Sequence, residues 1–243
     1  MSSKLQRLFV TFRLEPGLEG ALQQDQAHYL GNVLRLKPGD RILLFNGKDG
    51  EWLAEVSALG RKRASLRLEH QTRPQEEGPD LHYLFAPLKR ARLDYLAQKA
   101  TELGASVLRP AMTRHTMAER VKTDRLLANA IEAAEQCGVL RVPEVMPPEK
   151  LTKIIDNWDE DRLLIFADEA APHASPLAAL QTRPPGPLAV LVGPEGGFDG
   201  EERAGLLAKP FVLPISLGPR VMRADTAAVA ALALVNAALG DWR

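Results

Sequence analysis

Leu188-Ala189-Val190-Leu191-Val192 runs directly into Gly193-Pro194-Glu195-Gly196-Gly197, and Phe211 to Leu217 runs into Gly218-Pro219-Arg220-Val221-Met222-Arg223-Ala224-Asp225-Thr226. Each apolar run has the length of a buried strand. Behind them, Glu201 to Leu207 and Thr226 to Leu239 read as helices, the second rich in Ala, Leu and Val. Two strand–loop–helix junctions side by side, both built of Gly and Pro, describe a ligand site at the carboxyl ends of parallel strands. Gly193, Gly196 and Gly197 carry no Cβ, so the backbone can take positive φ, approach a flat ligand and offer N–H and C=O groups to an adenine edge. Asp199 with Glu202 three residues on has the spacing of a capping box. No Lys-Ser/Thr pair follows the glycines, which argues against a phosphate-cradling loop, and the spacing fails the dinucleotide fingerprint.

Outward from these junctions the alternation continues. Leu81 to Ala86 reads as a strand, and Arg90 to Leu103 as a helix stopped by Gly104. Ser106 to Arg109 is a strand, Thr123 to Cys137 a helix with Cys137 on its apolar side, and Arg162 to Ala167 a strand. Such a series predicts an α/β fold with a mostly parallel sheet covered by helices, by pattern alone an ordinary doubly wound one. The first 72 residues differ. Leu8 to Phe12, Asp40 to Phe45, Trp52 to Val56 and Ala64 to Leu68 are short strands around one helix, Gln24 to Leu34, and Asn46-Gly47 reads as a hairpin turn with two positive-φ residues. A small β-barrel over residues 1–72, a polar linker over 73–80 and an α/β domain over 81–243 are expected.

Composition narrows the classes. The chain has 243 residues, 45% of them hydrophobic, and 31 basic residues against 31 acidic ones. Zero net charge weighs against a general nucleic-acid binder, although Arg61-Lys62-Arg63 and the Lys89, Arg90, Arg92 cluster can serve as local patches. No apolar run reaches membrane-span length, Met1 to Arg13 lacks a signal-peptide core, and a lone cysteine excludes an internal disulfide. A cytoplasmic protein is expected. The histidines (His28, His70, His82, His115, His173) show no ligand spacing, so no metal site is proposed.

The two loops resemble those of the RsmE family of SPOUT-class methyltransferases. Further segments agree in order: His28-Tyr29-Leu30 with Val33-Leu34-Arg35, Lys37-Pro38-Gly39-Asp40, Gln98-Lys99-Ala100-Thr101-Glu102-Leu103-Gly104, and Glu132-Ala133-Ala134-Glu135-Gln136-Cys137-Gly138 leading to Arg141-Val142-Pro143-Glu144. Asp225 stands where the family more often has Glu, and Met222 replaces a common Leu. The resemblance implies a PUA-like RNA-binding barrel before a SPOUT domain whose C-terminal segment is tied in a deep trefoil knot. It also implies a homodimer that uses S-adenosylmethionine (SAM) to methylate N3 of a uridine in 16S rRNA of the 30S subunit.

Carried over by the resemblance, Leu191, Gly193, Glu195, Gly196, Leu217, Gly218, Val221 and Met222 hold the cofactor. Asp168-Glu169, at the end of another expected strand, either lines the same cleft or is a solvated strand end. Arg223 is the first candidate for catalysis, since a permanent cation stabilises a uracil ring that has lost its N3 proton. The proton goes to Asp225 or to water. Arg7 resembles a position near the partner subunit's active site. Arg13, His28, Arg35, Lys89, Arg90 and Arg220 are candidate RNA contacts. Another RNA target within the SPOUT class, or a non-catalytic assembly factor, are the alternatives.

Overall fold

The computed structural model describes residues 5–117, 120–172 and 174–242, without the side chain of Arg90. Two compact units are present: residues 1–77 with 134–141, and residues 78–133 with 142–243.

The first unit holds β1 (Arg7–Phe9), β2 (Glu19–Leu22), α1 (Gln24–His28), β3 (Arg41–Phe45), β4 (Glu51–Leu59) and β5 (Ala64–Arg73). Strands run in the order β1-β3-β4-β5-β2, with β1 parallel to β3 and the other pairs antiparallel. Period-two alternation builds the core: Ile42 and Leu44 of β3, Ala54 and Val56 of β4, and Leu66 and Leu68 of β5 meet Leu8, Leu22 and Leu30. The expected single helix is in fact a short α-helix continued by a π-helical turn, Tyr29–Val33. It ends at Arg35, whose φ of 58° is left-handed, a conformation usually left to glycine.

Asn46-Gly47 does form a hairpin, but with a five-residue loop rather than a two-residue turn. Gly47 alone of the pair has positive φ. The Asn46 side chain accepts hydrogen bonds from Lys48 N and Asp49 N, which makes the turn through side chain rather than backbone. Strand β2 escapes the sequence pattern because Gly20 interrupts it. A Cβ there would lie 2.2 Å from the Phe12 ring, so glycine is demanded by packing.

The second unit is three-layered. Its strands are β6 (Leu81–Phe85), β7 (Val107–Met112), β8 (Glu144–Val145), β9 (Glu149–Lys150), β10 (Leu163–Ala167), β11 (Leu188–Val192) and β12 (Val212–Ile215). The helices are α2 (Arg90–Glu102), α3 (Thr123–Cys137, whose residues from Ala134 on belong to the first unit), α4 (Leu151–Asp156), α5 (Pro176–Gln181), α6 (Gly200–Leu207) and α7 (Ala224–Ala238). Strand order is β12-β10-β11-β6-β7-β8, with β9 beside β7, and every pairing is parallel. Alternate residues face opposite layers. Leu81, Tyr83, Val190 and Ile165 pack under α2, α3, α5 and α7. Leu84, Leu191 and Phe166 pack under α4 and α6.

Two expectations change here. The junction strands β11 and β12 are not neighbours; β10 lies between them, so a third strand-end loop enters the site. Cys137 is exposed rather than buried. The apolar stripe of α3, Leu126, Ala130, Ala133 and Ala134, runs out before the last turn, and Gly138 (φ 89°) follows.

Candidate cofactor site

Three loops leave the carboxyl ends of β10, β11 and β12 and enclose one cleft of about 360 Å³. That is within the range of about 300–1,000 Å³ usual for small-molecule sites. Its walls are Ala167 to Ala170 from the first loop, Gly193 to Glu195 with Gly197 and Phe198 from the second, and Leu217 to Met222 from the third. Apolar side chains of Val192, Leu217 and Met222 face a rim carrying Glu169, Glu195 and Arg220, a mixture suited to a flat ring joined to a charged chain.

Glycine shapes two of the loops. A Cβ on Gly193 would meet the Phe198 ring at 2.4 Å. Gly218 has φ of 106°, which L side chains rarely adopt. The second loop is closed by Gly197 N donating to Pro194 O at 2.9 Å, with φ of 68° at Gly197. Helix α6 then starts with the expected capping box: Asp199 accepts from Glu201 N, and Asp199 N donates to Glu202. The Glu201 amide, with Arg114 nearby, holds the Asp199 carboxyl below its ordinary pKa.

At the cleft floor, buried Asp168 forms a forked pair with Arg203 of α6, at 3.0 Å to Nε and 2.8 Å to Nη2. Hydrogen bonding to Asp168 raises the Arg203 pKa further, so the guanidinium stays charged. Arg92 of α2 spans to two sides of the site, donating to Glu195 at 2.7 Å and lying 3.8 Å from Asp225. Asp225 also accepts from Thr226 N. Beneath it the Tyr83 hydroxyl is fully buried without a partner among the described residues, and burial together with the Asp225 charge pushes its pKa up.

Of the cofactor residues expected from sequence, Gly193, Glu195, Leu217, Gly218, Val221 and Met222 line the cleft. Leu191 and Gly196 do not. Leu191 is fully buried on the opposite sheet face, where the pleat sends it, and Val192 takes its place. Gly196 turns outward to His115. Asp168 and Glu169 line the cleft. Arg220 is exposed on its rim, and Arg223 is the exposed N-cap of α7; among the described residues neither makes an ion pair.

Arg7 is another matter. It is buried, its Nε donates to Glu51 at 2.7 Å, its Nη atoms donate to the carbonyls of Ala134 and Val139, and its guanidinium stacks over Phe45. Every one of these partners lies in its own unit. A buried cation held in this way serves the structure of its own unit, and its placement lends no support to the catalytic role expected of Arg7.

His28 and Arg35 are exposed, as is Lys89 at the N-cap of α2, and Arg13 makes a surface pair with Glu15 at 3.3 Å. The side chain of Arg90, and His173, lie outside the described residues. Among the described residues no group of three His, Cys, Asp or Glu could hold a metal, and no helix is long and apolar enough to cross a membrane. Sequence reading placed Arg92 only in a surface basic patch and His115 only among the scattered histidines, and it missed Arg114 and Arg203. Their partners lie 35 to 103 residues away, a distance over which one sequence carries no pairing signal.

The comparisons with known proteins agree with this architecture. Residues 75–236 match the RNA methyltransferase domain family, and residues 22–69 match the RNA methyltransferase PUA domain. Ribosomal RNA small subunit methyltransferase E of Rickettsia conorii is 33% identical over 96% of both chains, and that of Synechocystis is 32% identical over 88% of this chain and 71% of its own. A ribosomal RNA small subunit methyltransferase E from Neisseria gonorrhoeae, solved with bound S-adenosylmethionine, superposes with a TM-score of 0.88 at 27% identity, over 99% of this chain and all of its own. A Legionella pneumophila protein solved with bound SAM gives 0.87 at 30% identity, over 98% of this chain and 99% of its own. Fold and site thus define an RNA methyltransferase domain joined to a PUA domain. The chain belongs to the ribosomal RNA small subunit methyltransferase E family.

Proposed function

We propose that this protein binds SAM in the three-loop cleft and methylates N3 of a uridine in 16S rRNA on the assembled 30S subunit, acting as a homodimer. The observation that carries the cofactor part is the meeting of three strand-end loops, two with glycine-shaped backbone, in a chain whose solved relatives hold SAM. Residues that would hold it are Gly193, Glu195, Leu217, Gly218 and Met222, with Val192 beneath; the bound sulfonium supplies an activated methyl group. Nothing in the chain need act as a nucleophile. Its task is to hold the two reactants together and keep water out.

In this reading Arg223, with no carboxylate partner among the described residues, stabilises the uracil anion, and Arg220 at the rim holds a phosphate. Asp225 is engaged by Thr226 N and faces Arg92, which suits anchoring the start of α7, and the N3 proton leaves to water. Since N3 lies on the pairing edge, the uridine must be unpaired or flipped. Exposed His28, Arg35 and Lys89, with Arg13, contact folded rRNA. The homodimer and the C-terminal knot come from the family resemblance.

The test is methyl transfer from labelled SAM to 30S subunits that lack the modification, with the product nucleoside identified by mass spectrometry. N3-methyluridine at one small-subunit site is the expected outcome. Transfer to a different RNA would move the chain to another target, and SAM binding without any transfer would leave an assembly factor.

A further inference from the structure

Outside the cleft, the turn after β7 touches the cofactor loop from behind. Thr113 N donates to Thr116 Oγ1 at 2.9 Å, and Thr116 N to Thr113 O at 3.1 Å, so the turn is closed on itself. It is fastened to the start of α6 by Arg114, whose N donates to Glu202 at 2.9 Å and whose Nη1 lies 2.6 Å from Asp199. Between these anchors stands His115. Its Nδ1 is 3.1 Å from Gly196 O and 3.2 Å from Gly197 O. Carbonyl oxygens only accept, so Nδ1 carries the proton and donates to both.

The geometry points to His115 as the positioning residue of the cofactor loop, a role that rests on the SAM reading of the cleft. Gly196 O and Gly197 O belong to the two peptide planes flanking Gly197, the residue with φ of 68°. Two successive glycines permit that backbone and equally permit others, because neither carries a Cβ to restrict rotation. Pro194 O fixes the Gly197 N–H, but this bond does not reach the following plane. A forked donor from a fixed turn holds both planes at once, and the loop is then shaped before ligand arrives. Pre-shaping matters energetically because a site that is competent only part of the time loses affinity by that fraction. His115 makes no contact with the cleft itself, so it acts through Gly196 and Gly197.

Replacing His115 tests this. H115A removes the donor; H115N keeps an N–H close to the Nδ1 position. His115 is exposed, so neither change should unfold the chain. We expect H115A to weaken SAM binding by calorimetry about tenfold, in line with two lost hydrogen bonds, and H115N to restore most of it. Without any SAM, hydrogen exchange at the Gly197 amide should quicken by a similar factor in H115A and return toward wild type in H115N. Unchanged exchange and affinity in H115A would overturn the role, as would an H115N as weak as H115A. A wild-type chain that bound no SAM would count against the cofactor reading, and the exchange rates would still decide the clamp.

Discussion

Gly193 and Gly196 stand three residues apart in one loop, yet they are glycine for different reasons. A Cβ at Gly193 would enter the Phe198 ring at 2.4 Å, and Phe198 in turn packs edge-on against buried Phe166, so the ring has little room to retreat. A Cβ at Gly196 would meet only the His115 side chain, at an ordinary 3.4 Å to its Cβ, with no positive φ to strain it. G193A should therefore weaken SAM binding more than about tenfold, and G196A by less than about threefold, as read by calorimetry. The motif alone does not rank the two, because a run of glycines does not say which one has a neighbour. Arg35 poses the opposite case, a side chain where glycine would be easier. Left-handed backbone costs an arginine roughly 1 kcal/mol, and strain of that kind persists where a side chain is needed. R35G should raise the denaturation midpoint or leave it unchanged while lowering affinity for 30S subunits. A stabilised variant with full affinity would remove Arg35 from the RNA surface.

Elements long enough to carry a period are legible in the chain. Helix Thr123–Cys137 and strand Leu188–Val192 lie where the pattern places them. Strands of two residues, β8 and β9, and the six-residue α4 and α5 cannot show a period and were not found. At hairpin β3–β4 the element was legible but its turn was not, since the turn depends on Asp49, three residues past Asn46. The Asp49 carboxylate accepts from Leu14 N at 2.9 Å and from Asn46 Nδ2 at 2.7 Å, and these bonds, the Leu14 amide first, lower its pKa. A depressed carboxylate contributes stability that is present above its unfolded pKa and is lost as pH falls through the folded one. D49N should accordingly flatten the loss of stability below about pH 4 in the first unit. Trp52 reports it, because its indole N–H donates to Asp49 O at 2.8 Å. Fluorescence-monitored urea unfolding at pH 3 and pH 7 should show a smaller difference in D49N than in wild type; an equal difference would dismiss the Asp49 contribution.

Strand alternation on the scale of the whole molecule announces a parallel sheet but not its order. Nothing in the runs Arg162 to Ala167, Leu188 to Val192 and Phe211 to Leu217 says that the first lies between the other two, and that placement is what brings Asp168 and Glu169 into the cleft. Chain connectivity misleads in a second way. Residues 134–141 begin in the last turn of α3, a helix of the α/β series, yet they pack with residues 1–77, and Arg7 is the fastening. It gathers Glu51, the Ala134 and Val139 carbonyls and the Phe45 ring around one buried guanidinium, across 127 residues to Ala134. Spacing could only show an arginine ahead of a strand. Because Glu51 is itself 5% exposed, removing Arg7 leaves a buried carboxylate whose remaining side-chain donor among the described residues is the Thr72 hydroxyl. R7A should lower unfolding free energy by about 3 kcal/mol, and the double change R7M/E51L should recover part of it, since no uncompensated charge remains. Denaturant titration of both variants, alongside methyl transfer by the folded fraction, separates the two roles of this residue. Lost stability with turnover retained fits a structural cation. Lost turnover at unchanged stability would return Arg7 to the catalytic set.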